Sequence, residues 1–275
     1  MRRTIATAVH FRGVGLHCGQ AASLTVSPAR AGTGLLFRRT DLSAGAGPVP
    51  ARHDMVCGTL RSTCLANADG VSVATVEHLM AALGGAGITD ALIELDGPEV
   101  PAMDGSALPF LRAFIAAGFT GLPGLAPAIR ILKPVEVLFG GRRAALLPAP
   151  RFEMDFTVDF TDPAIGRQRK ALVLAGSAIA AELSDSRTFA ILSEVEHLRR
   201  MGLGRGGSLE NTVVIDRGRV LNQGGLRHPD EFLRHKMLDA VGDLALAGAP
   251  VIGRYVGHKA GHALTNRLLH ALFAR

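Results

Sequence analysis

The sequence predicts an α+β protein of two layered domains, each a β-sheet packed with two main helices. Three observations carry that prediction. The order strands, helix, strand, helix occurs twice along the chain. A stretch rich in Gly and Pro separates the two occurrences. The 275 residues, 48% of them hydrophobic and 20% charged, exceed the usual size of one domain and can bury a real core.

In the first half, "AASLTVSPA" (21–29) alternates as a half-buried strand does, and "GTGLLFRRT" (32–40) is a short apolar run. "VATVEHLMAALGGAG" (73–87) predicts a helix, with Val76, Leu79, Met80 and Leu83 on one stripe and glycines closing its end. "TDALIELDG" (89–97) returns to a strand, and "SALPFLRAFIAAG" (106–118) is a second amphipathic helix ended by Gly118. "FTGLPGLAPA" (119–128) interrupts all pattern and places the domain boundary, giving domains 1–122 and 123–275.

The second half opens with strands in "AIRILKPVEVLF" (128–139), "RRAALLPAP" (142–150) and "RFEMDFTVDF" (151–160). The last alternates, with Phe152, Met154, Phe156, Val158 and Phe160 on one face. A short helix at 193–201 and the strand "NTVVID" (211–216) follow. Then come the helix "PDEFLRHKMLDAVGDLALAG" (229–248), the strand "PVIGRYVG" (250–257) and a closing helix (261–274). Each half carries a histidine on its first long helix, but identity between the halves is slight, so duplication rests on element order alone.

Composition narrows the function classes. Trp is absent and Tyr occurs once, which argues against an aromatic binding surface of the lectin or antibody kind. The net charge of +6 suggests an anionic partner, yet no basic block with interleaved aromatics marks a nucleic-acid surface. Three cysteines without C-x-x-C spacing suit neither a disulfide framework nor a zinc ribbon and read as reduced cytosolic thiols. The basic N-terminus meets His10 and Arg12 before any usable hydrophobic region, so it is not read as a signal peptide. With no run of about 18 apolar residues to span a membrane, a cytoplasmic protein is expected.

The helix at 229–248 places Glu231, His235, Asp239 and Asp243 four residues apart in one row. Residues so spaced share a face about 6 Å apart, so His235 and Asp239 can reach one cation. The row drifts by roughly 40° per step, which skews Glu231 and Asp243 to either side. The alternative is a solvated face balanced by Arg234 and Lys236. His78 in "TVEHLMAAL" reads either as a hydrogen-bonded core histidine or as a third ligand, since two His and one Asp plus water compose an open zinc site. Adjacent Glu77 points about 100° away and would then suit a general base.

"VGHKAGHAL" (256–264) offers His262 as a general acid if a carboxylate such as Asp243 raises its pKa, and Lys259 as a phosphate contact; both also read as ordinary surface residues. "GLGRGG" (202–207) matches G-x-G-x-x-G but follows a helix and precedes a strand, so its glycines read as a cap and turn. "RGVGLHCG" (12–19) is a tight turn presenting His17. No G-x-S-x-G elbow supports a serine hydrolase.

Taken in order, "GVGLHCG", "TVEHLMAAL", "PAMDGSALPF", "DFTDPAIG", "SRTFA", "FLRHKMLDAVGDL" and "GHKAGHAL" resemble the UDP-3-O-acyl-N-acetylglucosamine deacetylase family, the zinc amidases of lipid A biosynthesis. The resemblance spans essentially the whole chain and implies an active site between the two domains. It implies Zn2+ (or Fe2+ in the cell) held by His78, His235 and Asp239, with Glu77 as base and His262, held by Asp243, as acid. Lys236 and Thr188 would stabilise the oxyanion. Phe160 and Asp159 would lie near uracil, and Lys259, Lys236 and His17 near the diphosphate. Residues 190–204 would form an acyl-chain groove beside Phe189, exposing Ile191, Val195 and Leu198 on one helical stripe. The substrate would be an acylated UDP-sugar and the protein a monomer, with at most transient contact with the inner membrane.

The chain departs from the family where Arg142 replaces a frequent phosphate-facing Lys, and where Ile191 replaces a second aromatic. It also stops soon after the last helix, without the longer tail of some relatives. Glu231 has no assigned part and reads as a solvated residue at the helix start. Two competing readings are a zinc amidase of the same design for another acylated UDP-sugar, and a non-catalytic binder of anionic ligands.

Overall fold

The computed structural model describes residues 1–43, 45–174 and 178–274. Its helices are α1 (Glu77–Gly85), α2 (Leu108–Ala117), α3 (Ala178–Glu182), α4 (Leu192–Arg200), α5 (Glu231–Ala245) and α6 (His262–Phe273). Two five-stranded mixed sheets organise them. The first runs in the order Val9–Val14, Ala21–Pro28, Ala91–Leu95, Leu35–Arg39, Val49–Pro50. The second runs Val135–Phe139, Arg142–Leu147, Arg254–His258, Glu153–Asp159, Arg167–Val173.

Both sheets obey one plan. A hairpin comes first, and the last strand in sequence inserts between that hairpin and the next one. This inserted strand is antiparallel to the first hairpin and parallel to the second, with register Phe37↔Ile93 in one sheet and Phe156↔Gly257 in the other. In each half, one long helix precedes the inserted strand and another follows it. The two halves therefore share topology as well as element order, which supports duplication where sequence identity is too slight to do so.

Alternation is visible in burial. Met154, Phe156 and Val158 are buried, as the period-2 pattern requires. On α1, Leu79, Met80 and Leu83 are fully buried, because this helix is covered on more than one side. The equivalent first helices, α1 and α5, pack against each other and join the two halves. Their approach depends on Gly242, where a Cβ would lie 1.9 Å from the Glu77 carbonyl oxygen. Gly242→Ala must therefore push α5 off the start of α1. Since the obstacle is backbone, we expect a cost at or above the upper end of overpacking, about 3 kcal/mol, read as a lower urea midpoint.

Two expectations need correction. The stretch 119–128 is not wholly without pattern, because Phe119–Leu122 forms a strand antiparallel to Arg2–Ile5. Four residues containing a glycine carry no readable alternation, and only the distant N-terminal partner makes them a strand. Ile191 is not on a helical stripe; it ends the strand Phe189–Ile191, which pairs in parallel with Val213–Asp216, and α4 crosses between them. Leu198 is buried rather than exposed.

Candidate active site

Burial settles the reading of α5. Its row Glu231, His235, Asp239 and Asp243 is 0%, 5%, 3% and 3% exposed, so it is not a solvated face. The packing of α1 on α5 brings His78 to the middle of that row. His78 Nε2 lies 3.1 Å from His235 Nε2 and 3.2 Å from Asp239 Oδ1, and His235 Nε2 lies 3.3 Å from Asp239 Oδ1.

Three donor atoms in a triangle of this size come within a few tenths of an ångström of a face of the tetrahedron formed by zinc–ligand bonds of about 2.0–2.2 Å, whose edges are roughly 3.3–3.6 Å. The protonation states agree. Burial pushes His235 down to about 3, leaving a neutral imidazole with a free lone pair. Burial alone would raise Asp239, but His235 and Lys236 hold its carboxylate well below the usual range. The donor set of two imidazoles and a carboxylate therefore fits a divalent transition metal.

A second triple, Glu77, Asp239 and His262, lies close by. Its histidine is unsuited to a metal. Burial would lower His262, but the Asp243 carboxylate, bonded to Nδ1 at 2.8 Å, pushes it up to about 9, so the ring is an imidazolium at neutral pH. Its Nε2 lies 3.9 Å from Glu77 Oε1 and 3.9 Å from Asp239 Oδ2. Burial raises Glu77 above the ordinary carboxylate value, as a proton acceptor working near neutrality requires. Lys236 Nζ donates to Asp239 Oδ2 at 2.6 Å. Burial would lower Lys236, but the Asp239 carboxylate more than offsets this and keeps it charged.

Thr63 links Glu77 to Asp243, the partner of His262, and has no signature in the sequence. Its backbone N–H donates to Glu77 Oε2 at 3.0 Å, and its hydroxyl donates to Asp243 Oδ1 at 2.7 Å. Glu99 is equally silent in the sequence. It is buried and accepts from the His17 and Cys18 amides and from the Thr75 hydroxyl, fixing the turn that carries His17. His17 Nδ1 in turn accepts from the Gly204 amide at 3.3 Å. The Gly204–Gly206 loop thus serves as a turn closing on the first half, as its context predicts.

The remaining predicted residues divide by distance from this centre. Phe189 packs edge-on against His235, Phe232 and Phe160, forming an aromatic wall beside the triangle. Thr188, next in chain, is held by backbone bonds to Gly105 and Val213 and is half-buried. Lys259 pairs with Asp159 at 2.7 Å, at the end of the strand that leads into α6 and His262. Arg142 is exposed beside the hairpin tip Gly140–Gly141, and the neighbouring Arg143 registers with His258.

Glu231 is neither solvated nor a bystander. It binds the Arg187 guanidinium through both carboxylate oxygens at 2.8 and 3.0 Å, and accepts from the Arg187 and Arg227 amides. It thereby pins to α5 the strand that begins at Phe189. A lone Glu at a helix start reads as polar surface; only the partner 44 residues away in sequence reveals the clamp. Glu231→Ala would strand a buried cation at a cost of about 3–5 kcal/mol, measurable as a lowered Tm.

Comparison with known proteins adds an independent finding. A family model described as "UDP-3-O-acyl N-acetylglycosamine deacetylase" matches residues 2–274. The chain is 51% identical to the UDP-3-O-acyl-N-acetylglucosamine deacetylase of Phenylobacterium zucineum over 274 residues, covering 100% of this chain and 94% of the relative. It is 46% identical to the enzyme of the same name from Idiomarina loihiensis, covering 100% and 90%. The Pasteurella multocida relative of that name is 44% identical, with coverage of 99% and 90%.

Proposed function

The chain belongs to the UDP-3-O-acyl N-acetylglycosamine deacetylase family, and from that premise we propose how its own residues do the work. The protein is a metal-dependent deacetylase that hydrolyses the N-acetyl group of UDP-3-O-(3-hydroxyacyl)-N-acetylglucosamine, releasing acetate and a free sugar amine, in lipid A biosynthesis. The observation that carries the mechanism is the meeting of the His78, His235 and Asp239 donor triangle with Glu77 and His262 in one buried site. His78, His235 and Asp239 hold the metal, which we assign as Zn2+, with Fe2+ the alternative in the cell. When bound, it supplies Lewis acidity towards water and the amide carbonyl.

Glu77, unprotonated at the start, takes the proton of the attacking water at its carboxylate. His262, already charged, gives its Nε2 proton to the departing nitrogen, and Asp243 holds that ring through Nδ1. The Lys236 ammonium and the Thr188 hydroxyl stabilise negative charge developing on the carbonyl oxygen. Phe160 and Asp159 receive the uracil, while Lys259, Lys236, His17 and Arg142 face the diphosphate. Phe189 and Ile191 begin the acyl-chain path along residues 190–204. No described helix is long and apolar enough to cross a membrane. We place the protein in the cytoplasm, as a monomer, meeting its amphiphilic substrate at most transiently at the membrane.

Purified protein is expected to carry one tightly bound divalent metal per chain. Chelation should abolish acetate release, and stoichiometric Zn2+ should restore it. A metal-replete protein that never releases acetate from this substrate would overturn the reading in favour of a binding protein.

A further inference from the structure

We propose that Cys57 and Cys64 form a dithiol that closes to a disulfide by exchange with a small-molecule disulfide. The two sulfurs already touch, with Sγ–Sγ 3.2 Å, across the hairpin formed by Val56–Gly58 and Cys64–Ala66. A register irregularity between Val56 and Gly58 leaves Cys57 opposite the end of its partner strand. Val56–Gly58 is the edge strand of its three-stranded sheet, and Cys57 is exposed there, open to a reagent. Cys64 is half-buried behind it. The third cysteine takes no part: the sulfur contact is between Cys57 and Cys64, while Cys18 Sγ accepts from the Gln20 amide within its own turn.

The exposed Cys57, as thiolate, attacks one sulfur of the small disulfide, breaks its S–S bond and releases one thiol. Cys64 then gives up its proton and attacks Cys57 Sγ in the mixed disulfide, releasing the second thiol. The protein loses two hydrogens and the reagent is reduced to two thiols, so electrons and atoms balance. The crosslink constrains the strand that begins one residue after Thr63, whose amide and hydroxyl hold Glu77 and Asp243. This chemistry stands apart from the deacetylase reading, because it needs neither metal nor substrate.

The test incubates the metal-loaded full chain with oxidised glutathione, followed by intact mass, alkylation after denaturation and non-reducing peptide mapping. We expect a loss of about 2 Da, one remaining alkylatable thiol assigned to Cys18, and a Cys57–Cys64 crosslinked peptide. Tm should rise on the order of 5 °C, because the unfolded chain loses loop entropy. Cys57→Ser should lose no mass and show no oxidant-dependent shift. Retention of all three thiols, a glutathione adduct that persists on Cys57, or an intramolecular disulfide that still forms in Cys57→Ser would each overturn the proposal. The wild-type peptide map decides the matter even if the variant folds poorly.

Discussion

Replacing Glu77 with Gln is expected to lower kcat by about 10²–10⁴-fold while leaving the metal content at one per chain. The side chain is 4% exposed and isosteric with Gln, so the Thr63 amide keeps an oxygen acceptor and the fold keeps its packing. What is lost is a carboxylate able to take a proton. Burial raises Glu77, so its carboxylate binds a proton more strongly than an ordinary Glu does. KM should change little, because Glu77 does not belong to the triangle of His78, His235 and Asp239. Steady-state kinetics with metal analysis on the same sample checks this, and full activity in a metal-replete Glu77→Gln protein would remove Glu77 as the base.

The second large effect is on pH dependence. The proposed mechanism needs His262 protonated, so its pKa of about 9 should set an alkaline limb above which activity falls. Asp243 supplies most of the force that lifts the ring, through charge and a 2.8 Å bond. In Asp243→Asn the Asp243 contribution is lost and only Glu77 and Asp239 still oppose burial, so the limb should move to lower pH by at least about one unit. Activity at neutral pH should fall with it.

Stability follows the same sign. A histidine raised from 6.5 in the unfolded chain to about 9 in the folded one contributes stability that is complete below 6.5 and lost as pH rises through 9. Asp243→Asn should therefore flatten the Tm profile across that window. An unmoved alkaline limb in this variant would mean that His262 is not the group that titrates there.

How much of this was legible depended on distance along the chain. His235 and Asp239 are one helical turn apart, so the 3.6-residue period alone puts them on one face. His78 could be named but not placed, because its partners lie more than 150 residues away. Thr63 could not be found at all, since its role is to bridge Glu77, 14 residues on, and Asp243, 180 residues on. Glu231 reads as solvated for the same reason. A helix period reports which residues share a face but not what covers that face, and here Arg187 covers it.

The sequence by itself determined the α+β class, the repeated order of elements and, through motifs of several residues each, the family and its chemistry. Those depend on local periodicity and on residue types in fixed spacing, which survive without coordinates. Only the tertiary structure decided that the halves share one sheet topology and that their equivalent first helices meet at Gly242. It also decided that the buried polar row divides into two groups that meet His78, a carboxylate bonded to His262 and a clamp on Arg187. The physical reason is that desolvation and charge pairing depend on distance in space, and at this site the decisive partners are far apart in the chain.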